Sequence, residues 1–194
     1  MIPVDFAVGG DAAGAPPLVV YDADDHQVED TGSLPRLSLQ ADFTLPGAIP
    51  RVNSLVSLVA TEWSGEYSLS VPYQASVVEV GLDFSYRGFP LEEPSETYSG
   101  IRVCPYGEIG MGVRALGLFQ SWWTDIGRLG WAGHVGLGAT IGGKHQHIIL
   151  GGKYEAVLAG TGVEGVLDSG AQDMTWTWNP SAARLYLLAG VGWR

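Results

Sequence analysis

The chain has 194 residues, 28 of them glycine, and sets 21 acidic side chains against 10 basic ones for a net charge of −11. So acidic a surface excludes nucleic acid as a partner. A single cysteine excludes an intrachain disulfide and a thiolate metal cluster, and no run of about 18 apolar residues exists to form a transmembrane helix.

The length predicts one domain over residues 1–194. Met1 leads straight into IPVDFAVGG, with no basic and then apolar leader, so an exported chain is expected here in its mature form. Residues 2–10 alternate, with Val4, Phe6 and Val8 opposite Asp5, Ala7 and Gly9, and read as a first strand. Residues 11–33 carry Pro16-Pro17 and then Asp22, Asp24, Asp25, Glu29 and Asp30, and read as a solvated loop. Residues 36–45 alternate without a fault, Leu37, Leu39, Ala41, Phe43 and Leu45 opposing Arg36, Ser38, Gln40, Asp42 and Thr44. Residues 54–63 and 76–87 are the next two strands, with turn chemistry over 64–74 and a connection over 89–99. Residues 101–115 set Ile101, Val103, Ile109, Met111 and Val113 against Arg102, Cys104, Tyr106, Glu108, Gly110, Gly112 and Arg114.

Residues 119–127, with Trp122-Trp123, read as a loop. The clearest strand follows over 128–141: Leu129, Trp131, Val135, Leu137, Ala139 and Ile141 face away from Gly130, Ala132, His134, Gly136, Gly138 and Thr140. Gly142-Gly143 predicts a tight hairpin in which glycine takes positive φ. Residues 147–157 form a strand, 158–182 a long loop, and 183–194 a closing strand with Leu185, Leu187, Ala189, Val191 and Trp193 on one face. The result is eight strands of about ten residues and no helix, the pattern of a closed up-and-down barrel that spans a bilayer.

Two observations decide which face is inside. Each clear strand presents four or five bulky apolar groups on one face, and an eight-stranded barrel has room for little more than its own side chains. The other face collects glycine, which weakens strands and has no use toward solvent. Glycine inside a narrow barrel leaves space for ion pairs to cross. The polar face is therefore expected inside and the apolar face toward lipid. Eight basic and six acidic side chains fall on the inner face, and buried charges persist only when paired. A polar, plugged lumen is expected, with an ion-pair network of Arg36, Asp42, Glu79, Asp83, Arg87, Arg102, Glu108, Arg114, Lys153, Glu155 and Arg184. Trp63, Tyr86, Trp131, Tyr154 and Trp193 are candidates for the interfacial aromatic girdles.

Catalytic patterns are thin. His145 and His147 flank Gln146 on a line that could bind a metal, and the favoured reading is a hydrogen-bonded pair at a turn. There is no G-x-S-x-G elbow and no His-x-Ser pair. Asp168 and Ser169 read as turn formers, and Cys104 as a small buried filler. Pro105 interrupts a strand and is where an opening in the wall would be sought.

The segments PYGEIGMGV, GWAGHVGLGATI, ILGGKYEAV and LYLLAGVGWR, over residues 103–194, resemble in that order the second half of the small outer-membrane barrels of the OmpA, OmpX and OmpW type. That family closes on an aromatic residue, which would stand just after Arg194. The resemblance implies an eight-stranded antiparallel transmembrane β-barrel in the bacterial outer membrane, with both termini on the periplasmic side. It implies a non-enzymatic, cofactor-free monomer that contacts lipid and lipopolysaccharide and meets a host or surface partner through acidic outer loops. The alternative is a narrow channel for small or hydrophobic solutes. A lipid A-modifying enzyme and a soluble ligand-binding barrel rank below both.

Overall fold

The computed structural model describes residues 3–11, 19–22, 24, 26–30, 36–45, 51–67, 73–89, 100–120, 122–143, 145–159, 163–168, 173–178 and 183–193. Eight strands close into an antiparallel barrel: β1 (Val4–Asp11), β4 (Arg36–Leu45), β5 (Val52–Tyr67), β6 (Tyr73–Gly88), β7 (Arg102–Gln120), β8 (Trp122–Gly142), β9 (Gln146–Ala159) and β12 (Ala183–Trp193). Each pairs with its neighbour in sequence around the ring. β1 closes it by pairing with β4 on one side and β12 on the other, Val4 lying opposite Phe43 and Trp193. No helix occurs among the described residues.

Strand formation follows from the alternation. Val, Leu, Phe and Tyr at every second position suit a pleated ribbon with two unlike surroundings. The structure places the bulky face outward: Phe84 is 56% exposed and Leu137 75%. Arg114 and Asp83, on the opposite face of their strands, are fully buried. Inward glycines accommodate the charged interior. A Cβ on Gly81 would stand 2.6 Å from Arg114 Nη1, and one on Gly138 2.6 Å from Tyr106 Oη. β5 is the least charged wall. Leu55 and Val59 point inward beside Ser57 and Thr61, a mixture that the weaker alternation of that segment did not resolve.

The strands depart from the expected length of about ten. β1 has 8 residues and β8 has 21. Residues 119–127 are not a loop: β7 runs to Gln120 and β8 begins at Trp122, so this segment is a strand hairpin. Register shifts between Ala115 and Gly117 and between Leu118 and Phe119 break the period of two there and hide the strands from a parity reading. Residues 64–74 are shortened in the same way by the extension of β5 and β6.

The two long segments read as loops hold four further strands. These are β2 (Val19–Tyr21), β3 (Gln27–Asp30), β10 (Val163–Asp168) and β11 (Asp173–Trp178), paired as a separate sheet in the order β10-β11-β2-β3. Segments of three to six residues are too short to show periodicity. The β11–β2 pairing also joins parts of the chain more than 150 residues apart, Trp176 lying opposite Val20. The β2–β3 turn is tied by Asp22, whose carboxylate accepts from the backbone N–H groups of Asp24 and His26, each at 2.9 Å. The His26 bond leads in holding that carboxyl below its ordinary pKa.

The 142–146 hairpin has a different cause from the one expected. Neither Gly142 nor Gly143 is left-handed. A Cβ on Gly142 would press on the backbone of Gln146 and lie 2.5 Å from His147 Cα, so close approach selects glycine. The turn closes with Gly143 N–H donating to Gln146 O at 3.0 Å.

Candidate functional site

The inner face gathers the charges into a connected set. Toward the end that holds Val4 and Trp193, the Arg87 guanidinium of β6 reaches three carboxylates. Nη1 lies 3.0 Å from Asp5, and Nη2 lies 2.8 Å from both Asp42 and Glu108. Its guanidinium also lies over the Tyr106 ring, 4.6 Å from the centroid. His147 Nε2 meets Asp5 at 3.0 Å, and Gln40 donates to Asp42 at 2.6 Å.

Farther along the lumen, Arg114 pairs with Asp83, donates to Glu155 at 2.6 Å and faces Glu79 at 3.7 Å. Arg184 donates to Glu79 at 2.7 Å and to Glu155 at 3.0 Å. Lys153 and His134 join the two groups. Lys153 donates to Gln40 at 3.2 Å and to Asp83 at 3.3 Å. His134 stands between Glu108 at 3.2 Å and Asp83 at 3.7 Å.

The set draws side chains from β1, β4, β6, β7, β8, β9 and β12. Arginine forks that engage two or three carboxylates at once are the strong form of such contacts, and satisfying several groups together is what makes burial of so much charge tolerable. Satisfaction is incomplete. Arg114 Nε, the Nδ1 atoms of His134 and His147, and the hydroxyls of Ser57 and Ser85 lack a hydrogen bond from the described groups. Between Gln40, Arg87, Tyr106 and Lys153 the free volume is about 10 Å³, about what one water requires.

Of the expected network, Asp42, Glu79, Asp83, Arg87, Glu108, Arg114, Lys153, Glu155 and Arg184 lie together in this way. Arg102 is half-buried at the start of β7. Arg36 begins β4, and its side chain lies outside the described residues. Asp5, Gln40, Tyr106, His134 and His147 take part as well. Inward parity was the only signal for them, and it does not say which polar groups will touch.

The expected aromatics Tyr86, Trp131, Tyr154 and Trp193 all face outward. Tyr86 and Tyr154 share a cross-strand row through Ile109 and Val135. Trp193 lies at the terminal end, edge-on to Phe6 with centroids 6.2 Å apart. The Trp63 side chain lies outside the described residues. His145 is exposed at the turn while His147 is buried, so the two do not converge. Among the described residues no three His, Cys, Asp or Glu side chains are grouped to hold a metal. Pro105 is exposed, and the β7–β8 register continues across it, with Pro105 opposite Ala139.

No protein-family model matches the sequence, and no curated protein sequence matches it. Among solved structures, neisserial surface protein A is similar over 99% of this chain and 96% of its own, at 12% identity and a TM-score of 0.57. The outer membrane protein OprG from Pseudomonas aeruginosa is matched over 97% of this chain and 94% of its own, at 15% identity and a TM-score of 0.49. The attachment invasion locus protein Ail of Yersinia pestis, solved in complex with the heparin analogue sucrose octasulfate, is matched over 99% and 97%, at 11% identity and a TM-score of 0.43. Closed ring, strand count and the likeness to the first of these agree: the chain has the fold of the small eight-stranded outer-membrane β-barrels.

Proposed function

We propose that the protein is a non-enzymatic barrel of the bacterial outer membrane, closed to solutes along its axis, that acts through the acidic end of the molecule. The observation that carries the reading is the inversion of its faces. Leu39, Leu58, Val80, Phe84, Ile109 and Val135 are each half exposed or more, while Asp83, Glu155, Arg114 and Arg184 are buried. In water that arrangement would expose a continuous apolar belt and bury unscreened charge, both unfavourable. In a bilayer the belt meets hydrocarbon, and closure satisfies the backbone of every strand.

The lumen network serves as the plug: between Gln40, Arg87, Tyr106 and Lys153 the free volume is about 10 Å³, too small for a file of waters. The closed ring leaves no strand edge of its own to pair with a second copy, which supports a monomer. Tyr86, Trp131, Tyr154 and Trp193 belong to the interfacial belts. With the termini toward the periplasm, the β10-β11-β2-β3 sheet stands at the outer end, between β1 and β4 and between β9 and β12. Residues 12–35 and 160–182, which supply it, contain eight acidic side chains and no Lys or Arg. Such a surface suits divalent cations that bridge to lipopolysaccharide phosphates, or a basic partner at the cell surface.

The test is refolding from urea into phospholipid vesicles, read by heat-modifiable gel migration. A compact, fast-migrating form that converts on boiling is expected. A chain that stays soluble and folds without lipid or detergent overturns the reading.

A further inference from the structure

The outward face of the barrel is bulky along most of its cross-strand rows. One row among the described residues carries three glycines. Gly88 of β6, Gly107 of β7 and Gly152 of β9 are linked in register through Leu137 of β8. None of the three glycines is left-handed. A Cβ on Gly88 would meet nothing within 4 Å, one on Gly107 only Leu137 Cδ2 at 3.8 Å, and one on Gly152 only the Tyr186 carbonyl oxygen at 3.7 Å. The inward glycines are different, with Gly81 and Gly138 crowded by buried side chains. Neither backbone conformation nor crowding therefore selects glycine at the outward row, although glycine weakens a strand. What the row does produce is a groove. It has a volume of about 910 Å³ and is lined by Tyr86, Ile109, Val135, Tyr154 and Leu185, with Leu137 standing exposed within it.

We propose that this groove seats an acyl chain of a phospholipid from the periplasmic leaflet. The proposal rests on the outer-membrane reading above. Its volume lies within the range of about 300–1,000 Å³ typical of built ligand clefts. It crosses β6 to β9, about 14 Å at the usual strand spacing, long and narrow as a hydrocarbon chain is. The groove is continuous with the apolar belt, so a chain enters from the bilayer without crossing water. A second copy of the barrel set groove against groove would leave a void between two identical concave faces. An extended peptide does not fit either, because a closed barrel offers no free edge for strand addition.

The leaflet follows from the fold. Val52 and Gly88, the first residue of β5 and the last of β6, are paired at the groove's margin. They belong to the end of the barrel where Thr44 N–H bonds Pro3 O and Phe89 N–H bonds Arg51 O, the end that holds the termini. Tyr86 and Tyr154 flank the groove with rings that are apolar in body and polar at the tip, the form suited to the neighbourhood of ester groups.

The test refolds the full chain into phosphatidylglycerol vesicles doped with a phospholipid carrying a diazirine near its acyl terminus, irradiates, and maps the adducts by mass spectrometry. Adducts are expected to concentrate at Val135 and Tyr154, 50% and 48% exposed, over Leu39 and Leu58, which are 50% and 52% exposed on another wall. Filling the groove with Gly107→Leu and Gly152→Leu is expected to abolish that concentration while heat-modifiable migration is kept. Even labelling of both walls in the unaltered chain overturns the proposal, whether or not the filled variant folds. So does a concentration that survives filling. A parallel arm with acyl-diazirine lipopolysaccharide is expected to show no preference for the groove, and an equal preference there overturns the assignment to phospholipid. Failure of the unaltered chain to become heat-modifiable in vesicles sinks the membrane reading instead, and is read on the gel before any adduct is mapped.

Discussion

Arg114 is fully enclosed, with Asp83 and Glu155 against its guanidinium and Glu79 3.7 Å from Nε. Removing one member of such a group leaves the others charged and dry. Arg114→Met is expected to destabilise the barrel by about 3–5 kcal/mol, measured by reversible urea unfolding in vesicles. Adding Asp83→Leu to it is expected to restore part of the loss, since one orphaned carboxylate goes with it. Arg184 would still donate to Glu155, as it does at 3.0 Å in the intact protein. Nearly all of these inward positions could be read from parity alone, because a side chain at i and one at i+2 must share a face. Which of them touch could not. Asp5 meets Arg87 across 82 positions of sequence and Gln40 meets Lys153 across 113, and only the stagger of the closed ring brings those heights together.

At the level of the strands, the outer face makes a separate prediction. Val80 is half exposed in the middle of β6, six residues from Tyr86 and flanked in register by Ala60 and Ala115. Val80→Lys is expected to cost about 2–4 kcal/mol of folding free energy in vesicles, whereas lysine at Trp193, at the end of its strand, is expected to cost about 0–1 kcal/mol from charge alone. Equal costs at the two positions would contradict the depth assigned to them. The strands most easily read were those whose alternation is unbroken, β4 and β8 above all. The β7–β8 hairpin was hidden because bulges near Gly117 and Phe119 change parity where no glycine–asparagine turn marks the event. β2, β3, β10 and β11 were hidden because each is short and finds its partners in a different loop, a kind of pairing that leaves no local trace.

For the molecule as a whole, the proposed lumen plug predicts an electrically quiet protein. Reconstitution into planar bilayers is expected to show no steady ohmic conductance, and Arg87→Ala, which removes the group shared by Asp5, Asp42 and Glu108, is expected to raise leakage. A wide, steady pore in the unaltered protein would remove the plug from the account. The ring has one further property. Its first and last strands are hydrogen-bonded neighbours, with Asp5 opposite Gly192, so covalent order and spatial order differ only by where the loop is cut. Joining residues 4 and 193 by a short flexible linker and opening the chain at the β7–β8 hairpin is expected to give a circular permutant with the same barrel. In such a permutant the shortest strand of the ring would no longer be the one left waiting at the seam for the final strand to arrive.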